Sequence, residues 1–520
     1  MSPVQDDHYD AVIVGSGAAG SLMAAKLAQA GKSVLILEAG PERGPQDLVS
    51  SQIWARRLKG SPAPVESVGR DPLSVGFASG SGTGGSAMHH YACWFRLHAE
   101  DFQVKTRFGI GLDWPLAYGD LRPEYDQVQR EIGIAGDAEA EIWRPPGEPY
   151  PMPPLPVFGQ GTAIKRGFDK LGLHTSALPL AINSVPYKGR PACQYDGWCD
   201  AGCPIMALGN PVAVYLAQAR AAGAQIAHNL AVTRVLTTAN GKRATGVECF
   251  NAQGQRKRVL AKLVVLAAYV FETPRILLNS RDGGLANSSG TVGRYMAAHS
   301  TAGVYGLFKD ETAPHMGMTG GQLLNQDDYA KDPGKGFIGS SQWLIGNAMK
   351  PNDLLGIANT RPELFGEKLR RYLQVATRHL AVMTFCGESI VQPENRLVLS
   401  DRKDRHGFPL ARVSHAFDSN AIRCWEAGMA RGRAIMEAAG ADETWSGGRA
   451  QMHSMGGAIM GASPGSSVTN SYGQTHDVPN LFIAGSSLFP STGGVNPTFT
   501  IHALAMRSVK HVLSKWGSLT

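Results

Sequence analysis

The sequence predicts an α/β protein in which a Rossmann-like, parallel-sheet unit is split around an inserted, sheet-based unit. Three observations carry that prediction. Residues 9–40 run strand, glycine turn, helix, strand. Short buried-type strands return at 263–268 and 481–484, and a closing helix follows at 497–513. Between 295 and 448 the pattern changes to alternating strands, longer loops and one amphipathic helix at 420–439. The expected division is 7–294 and 449–520 for the first unit and 295–448 for the second.

Taken in order, residues 11–14 are a short apolar run bounded by glycine, the pattern of a strand buried on both faces. Gly15, Gly17 and Gly20 follow at G-x-G-x-x-G spacing. Gly15 permits a tight turn, Gly17 lets backbone approach a pyrophosphate, and Gly20 lets the next helix pack close to the sheet. Leu22, Met23, Ala25, Leu27 and Ala28 predict that helix over 21–30, ended by Gly31, and 34–37 is a second parallel strand. Glu38 closes it, 18 residues after Gly20, where a carboxylate can accept both ribose hydroxyls of an adenine nucleotide. The position of this unit near the N-terminus, with Glu-Ala-Gly after its second strand, points to FAD rather than NAD.

Residues 41–69 are polar and mixed, a loop with some helix at 53–58. Residues 79–96 form a second glycine-rich stretch, expected beside the flavin ring and the pyrophosphate. A helix is predicted after Tyr118, with Leu121, Tyr125, Val128 and Ile132 on one face. Residues 136–158 are proline-rich and irregular, and 161–171 are helical. Residues 226–250 read as short strands with an Asn240-Gly241 hairpin turn. After the buried strand 263–268, Glu272-Thr273-Pro274-Arg275 opens a helix over 276–279.

Composition narrows the function. The 520 residues suffice for two domains and contain no apolar run of the ~18 residues that span a bilayer. The net charge of +7 is scattered, with arginine-rich clusters only at 361–378 and 402–405. No basic stripe interleaved with aromatic residues is present, so a solvated surface is expected and nucleic-acid binding is not. Sixty-two glycines and 31 prolines imply many loops, which suits a large cofactor enzyme. Residues 1–8 are short and polar, with neither a secretory signal nor a twin arginine, so the chain alone is expected to stay in the cytoplasm. Seven cysteines are too few for a disulfide framework in a chain of this length.

Four stretches together resemble the glucose–methanol–choline (GMC) oxidoreductases. They are 15–20 with Glu38-Ala39-Gly40; Gly84-Gly85-Ser86; Glu272-Thr273-Pro274-Arg275; and 480–485 running on to 496–501. The resemblance covers nearly the whole chain in the family's order. One departure is Tyr269, where the family usually has a small residue. Asp113-Trp114-Pro115, a cysteine cluster, Glu394-Asn395-Arg396 and the 401–409 loop make the chain most similar to the large subunits of bacterial FAD-dependent sugar dehydrogenases. The resemblance implies the GMC fold and oxidation of a sugar or glycoside hydroxyl, with hydride passing to flavin N5 and electrons passing on through an iron–sulfur cluster to a cytochrome. It implies His453 as the active-site histidine and Asn496 as the second polar residue that positions the substrate oxygen. It also implies FAD contacts at Gly84, Gly85, Ser86, His89, Val232, Gly485, Asn496, Pro497 and Thr498. His89 matches a histidine that carries a covalent flavin bond in some relatives. It is expected to pack on the flavin, and the bond itself stays open.

Cys193, Cys199 and Cys203 lie at C-x5-C-x3-C spacing on a loop bent by Gly and Pro, within the stretch 191–204. Three thiolates can hold three corners of an iron–sulfur cube, which favours [3Fe–4S] over a four-ligand cluster. Structural zinc, which usually takes four ligands, and a disulfide with a spare thiol are the other readings. Cys93, Cys249, Cys386 and Cys424 stand in apolar contexts and read as buried thiols. The large subunits that the chain resembles leave the cytoplasm bound to a small subunit with a twin-arginine signal. The expected setting is therefore the periplasmic side of the inner membrane, beside a cytochrome c-type acceptor and without direct membrane insertion. Two rival readings are an oxidase or dehydrogenase of the same fold that uses oxygen or quinone without a working cluster, and a non-catalytic flavoprotein subunit.

Overall fold

The computed structural model describes residues 8–61 and 63–520. Residues 1–7, and with them most of the polar N-terminus and the first residue of the expected division, lie outside the described residues. The first sheet is built on the strands His8–Val14 and Val34–Leu37, which pair in parallel. His8–Val14 is flanked on its other side by the long strand Arg256–Leu266, also parallel. Leu481–Ile483 adds in parallel to the end of that strand, and Gln225–Ala227 adds in parallel to Val34–Leu37. Leu230–Thr237, Ala244–Asn251 and the start of Arg256–Leu266 form an antiparallel meander, turned at Asn240-Gly241 with Gly241 at φ 71°. The central parts of the parallel strands, 11–14, 34–37, 263–266 and 481–483, are apolar and buried because helices cover the sheet: Ala18–Gln29 packs against Tyr215–Ala221 and the closing helix Thr498–Ser514.

The second sheet is antiparallel. Its order is Glu443–Ser446, Ala297–Leu307, Leu380–Gly387, Ser341–Ile345, Leu323–Asn325 and Ser176–Ala177, with Ala450–Met455 also pairing to Ala297–Leu307. It therefore draws one strand from before residue 295 and one from after residue 448. The helix Ser419–Ala439 covers one face and packs on the helix Gly159–Lys170. Asp418 caps its start by accepting from the N–H groups of Asn420 and Ala421, and Gly440 ends it at φ 92°.

Two local expectations change. The stretch read as a loop to residue 69 contains a strand, Val65–Val68, which pairs in parallel with Pro409–Ser414 in a small third sheet. Its alternation is half-buried throughout, so it carries no strong apolar signal. The helix expected from Glu272 begins at Tyr269 and runs to Ser280. Tyr269 takes the left-handed conformation, φ 69°, and turns the chain sharply out of the strand Arg256–Leu266 into that helix.

Candidate active site and cysteine loop

A cavity of about 600 Å³ lies between the two sheets. Among its lining residues are Gly15, Gly17, Glu38, Gly85, Ser86, His89, Val232, His453, Gly485, Asn496, Pro497 and Thr498. Gly20 and Gly84 stand behind the wall. A Cβ on Gly20 would meet the Gly15 carbonyl oxygen at 2.1 Å, so close backbone packing dictates glycine there, while Gly84 takes φ 86°, a left-handed conformation that favours glycine. Gly15, at φ 99°, leaves no room either: its Cβ would stand 2.5 Å from the Ala267 carbonyl oxygen. Gly17 is different. A Cβ there would meet only the Gly84 carbonyl oxygen, at 3.8 Å, so the protein itself does not demand glycine. What Gly17 keeps open is the cavity-facing approach to the start of the helix Ala18–Gln29, which has no side-chain cap. Uncapped N–H groups at a helix start suit a pyrophosphate.

Glu38 ties the two glycine-rich segments together. One carboxylate oxygen accepts from the N–H and hydroxyl of Ser16, and the other from the N–H groups of Gly40 and Gly82. The Ser16 hydroxyl in turn accepts from Gly84 N–H. His89 is buried, and burial, followed by Lys59 nearby, pushes its imidazole down to about 4. Its Nε2 has no hydrogen-bond partner, an orphaned polar atom on a cavity wall that suits a polar ligand.

His453 reaches the opposite wall through a β-bulge. The strand Ala450–Met455 pairs with Ala297–Leu307 as far as Met452 opposite His299, and the register slips between Met452 and Met455. His453 sits in that slip at φ 58°. A bulge re-aims a side chain, and here it swings the imidazole over His299. His453 Nδ1 lies 2.9 Å from His299 Nδ1, and its Nε2 lies 3.2 Å from Asn496 Nδ2. Asn496 Oδ1 accepts from Gln342 Nε2 at 3.0 Å, and Gln342 Oε1 accepts from Gln326 Nε2 at 2.9 Å. Burial, with His299 alongside, pushes the His453 imidazole down to about 3, so it is neutral at pH 7 and keeps a lone pair on one ring nitrogen. Cys386 Sγ joins the two imidazoles in a trio within 4.8 Å, but the rings spend their facing nitrogens on each other.

The cysteine loop stands apart from the cavity lining. All seven cysteines are free, so no disulfide forms. Cys199 is buried in the short turn Cys199–Ala201, and Cys193 and Cys203 are half-buried. Tyr195, Cys203 and Met206 take left-handed backbone, φ 60°, 57° and 59°, so the loop curls around its own sulfurs. Cys193 Sγ accepts from Tyr195 N–H at 3.3 Å and Cys203 Sγ from Leu208 N–H at 3.4 Å. Burial pushes the Cys193 thiol up to about 11 and Cys199 up to about 12; Tyr195 N–H on the first and Thr319 on the second oppose the rise. The three sulfurs are not all within 4.8 Å of one another, since the histidine–cysteine trio above is the only such group among the described residues. Bent backbone and inward N–H donors fit a thiolate-bound cluster of wider span.

Several residues of the site carry no signal in the sequence. His299, Gln342 and Gln326 come from strands and loops of the second sheet and meet His453 and Asn496 only through strand register. Asp200, beside Cys199, is held by Lys350 at 3.2 Å, and Lys350 Nζ also donates to the Gly197 carbonyl. Lys331 is completely buried between Asp101 and Glu388, and Tyr329 links Asp101 to the N–H of Gly494. That network supports the turn preceding Asn496.

The chain matches the GMC oxidoreductase family over residues 9–301 and 391–505. It is 32% identical to the fructose dehydrogenase large subunit of Gluconobacter japonicus, over 97% of this chain and 98% of that protein. It is 31% identical to 2-methyl-1,2-propanediol dehydrogenase of Mycolicibacterium austroafricanum, over 99% and 96%. Among solved structures, formate oxidase shares the fold with a TM-score of 0.69 at 16% identity, over 99% of this chain and all of that one.

Proposed function

This chain belongs to the GMC oxidoreductases, a family of FAD-dependent enzymes acting on CH–OH groups, and we propose that it is a dehydrogenase of a sugar or glycoside hydroxyl that passes electrons through a [3Fe–4S] cluster to a cytochrome c-type acceptor. One observation carries the reading: a neutral histidine and an asparagine amide, 3.2 Å apart, face the same cavity as the glycine turns. The FAD supplies the hydride acceptor. Everything else is asked of the chain. Gly15, Gly17 and the start of the helix Ala18–Gln29 hold the pyrophosphate, Glu38 braces that turn, and Gly85, Ser86, His89, Val232, Gly485, Pro497 and Thr498 enclose the rest. Asn496 orients the substrate oxygen, and His453 takes its proton. Loss of that proton from the oxygen and of a hydride from the carbon that bears it leaves a carbonyl.

Cys193, Cys199 and Cys203 are the proposed cluster ligands, supported by the N–H groups turned onto their sulfurs. The relative named as a large subunit supports a multi-subunit setting. The proposed partners are a small subunit with a twin-arginine signal and the cytochrome, on the periplasmic side of the inner membrane. Among the described residues no helix is long and apolar enough to cross a membrane. The test is anaerobic purification with iron analysis and electron-spin resonance, followed by titration with aldoses, ketoses, aldonic acids, glycosides and small diols. Bleaching of the flavin by a carbohydrate, with about three irons per chain, is expected. A flavin that only diols bleach would reject the sugar assignment, and an iron-free yellow protein would reject the cluster.

A further inference from the structure

We infer that His299 is a positioning residue that fixes the tautomer of His453, so that Nε2 is the bare nitrogen and Asn496 meets the substrate oxygen as a donor only. The inference rests on His453 being the base and adds which nitrogen acts and what sets it. The argument starts at a carbonyl. His299 Nε2 lies 2.9 Å from the Gly493 carbonyl oxygen and 3.3 Å from that of Thr492. A carbonyl only accepts, so this nitrogen carries a hydrogen. His299 is completely buried, and burial pushes it down to about 4, so the ring is neutral and holds one proton. Its Nδ1 is therefore a lone pair. The 2.9 Å contact between the two Nδ1 atoms then requires the hydrogen on His453 Nδ1. His453 is neutral as well, which leaves Nε2 bare, toward Asn496 and the cavity.

The other end of the chain agrees. Gln342, buried, donates to Asn496 Oδ1, so Asn496 turns its NH₂ toward His453 Nε2. Reversing the direction would set the His299 Nε2 lone pair against two carbonyl oxygens and point an N–H of His453 into the cavity, where a base is needed. The substrate hydroxyl then has one arrangement: it donates its proton to His453 Nε2 and accepts from Asn496 Nδ2.

The experiment uses the FAD-loaded protein with ¹⁵N-labelled histidine, the His453 signals being assigned by difference with His453→Gln. An unprotonated Nε2 and a protonated Nδ1 are expected for His453, and the opposite pattern overturns the inference. Kinetics provide the second readout. His299→Leu removes the acceptor and should lower kcat by about 10–100-fold with KM little changed. His299→Asn, whose carboxamide oxygen can stand near the place of Nδ1, should recover most of that loss. Equal kcat values for the Leu and Asn variants overturn the inference. If His299→Leu does not fold, the wild-type nitrogen signals still decide. Full turnover by His453→Ala would defeat the base assignment instead, and the nitrogen signals would report the tautomer independently of that outcome.

Discussion

The His453 wall and the cysteine loop present reactive atoms at similar depth and hold them by different means. On the wall, side chain meets side chain: Gln326, Gln342, Asn496, His453 and His299 form one run of contacts between 2.9 and 3.2 Å that ends on a main-chain carbonyl. In the loop, the contacts to Cys193 and Cys203 are main-chain N–H groups at 3.3 and 3.4 Å, the first offered by Tyr195 in the left-handed conformation and the second by Leu208. The wall specifies where one proton sits. The loop keeps its sulfurs within a curl of backbone and leaves their bonding capacity for another group. A proton acceptor needs orientation to a fraction of an ångström, whereas thiolate ligands need a preformed cup with N–H donors.

Substitutions separate these two kinds of order. The largest effect is expected on the wall: His453→Ala should lower kcat by about two orders of magnitude or more while the flavin absorbance stays. Steady-state dye reduction checks it, and near-wild-type turnover would remove His453 from the role of base. Cys199→Ser should abolish the iron content and slow reduction of a cytochrome, with flavin reduction by substrate in stopped flow nearly unchanged. Full iron content in that variant would break the contrast at the loop. Lys331→Met should destabilise the fold by about 3–5 kcal/mol, because it strands Asp101 and Glu388 in the interior without their cation. Denaturant titration reads this, and an unchanged midpoint would show that the turn before Asn496 is supported elsewhere.

A separate effect is expected on pH. Burial holds His89, His98, His299 and His502 down to about 4 and His90 and His453 to about 3, against an ordinary 6.5. Below 6.5 the unfolded chain binds protons that the folded chain refuses, so stability falls as pH drops from about 6.5 toward 4. Thermal melts across that range should show a steady decline, and a flat profile would mean that these imidazoles are not held neutral.

Much of the first sheet is legible because its signals are local. The glycine spacing at 15–20 and the apolar runs at 11–14, 34–37, 263–268 and 481–484 each follow from burial of a strand on both faces. The helix expected at 420–439 is found as Ser419–Ala439, since Asp418 and Gly440 mark its ends. Val65–Val68 is not legible, because a half-buried strand of four residues needs its partner at Pro409–Ser414 to exist. The site divides in the same way. His453 and Asn496 stand in recognisable surroundings, whereas His299 is one of 15 histidines and acquires meaning only when Met452 pairs opposite it. Gln342 is 154 residues from Asn496, a separation over which sequence carries no spacing rule.

The bulge between Met452 and Met455 also makes activity depend on residue count as well as residue identity. Side chains alternate along a strand with a period of two, so removing one residue from the slip would restore regular pairing and carry the imidazole to the other face of the sheet. Such a deletion would leave every proposed catalytic residue type in the chain and the cavity largely intact, yet disconnect the proposed base. Any redesign that shortens or lengthens this segment therefore edits an on–off setting, and insertions elsewhere in the second sheet are tolerated only if they leave that one-residue offset in place.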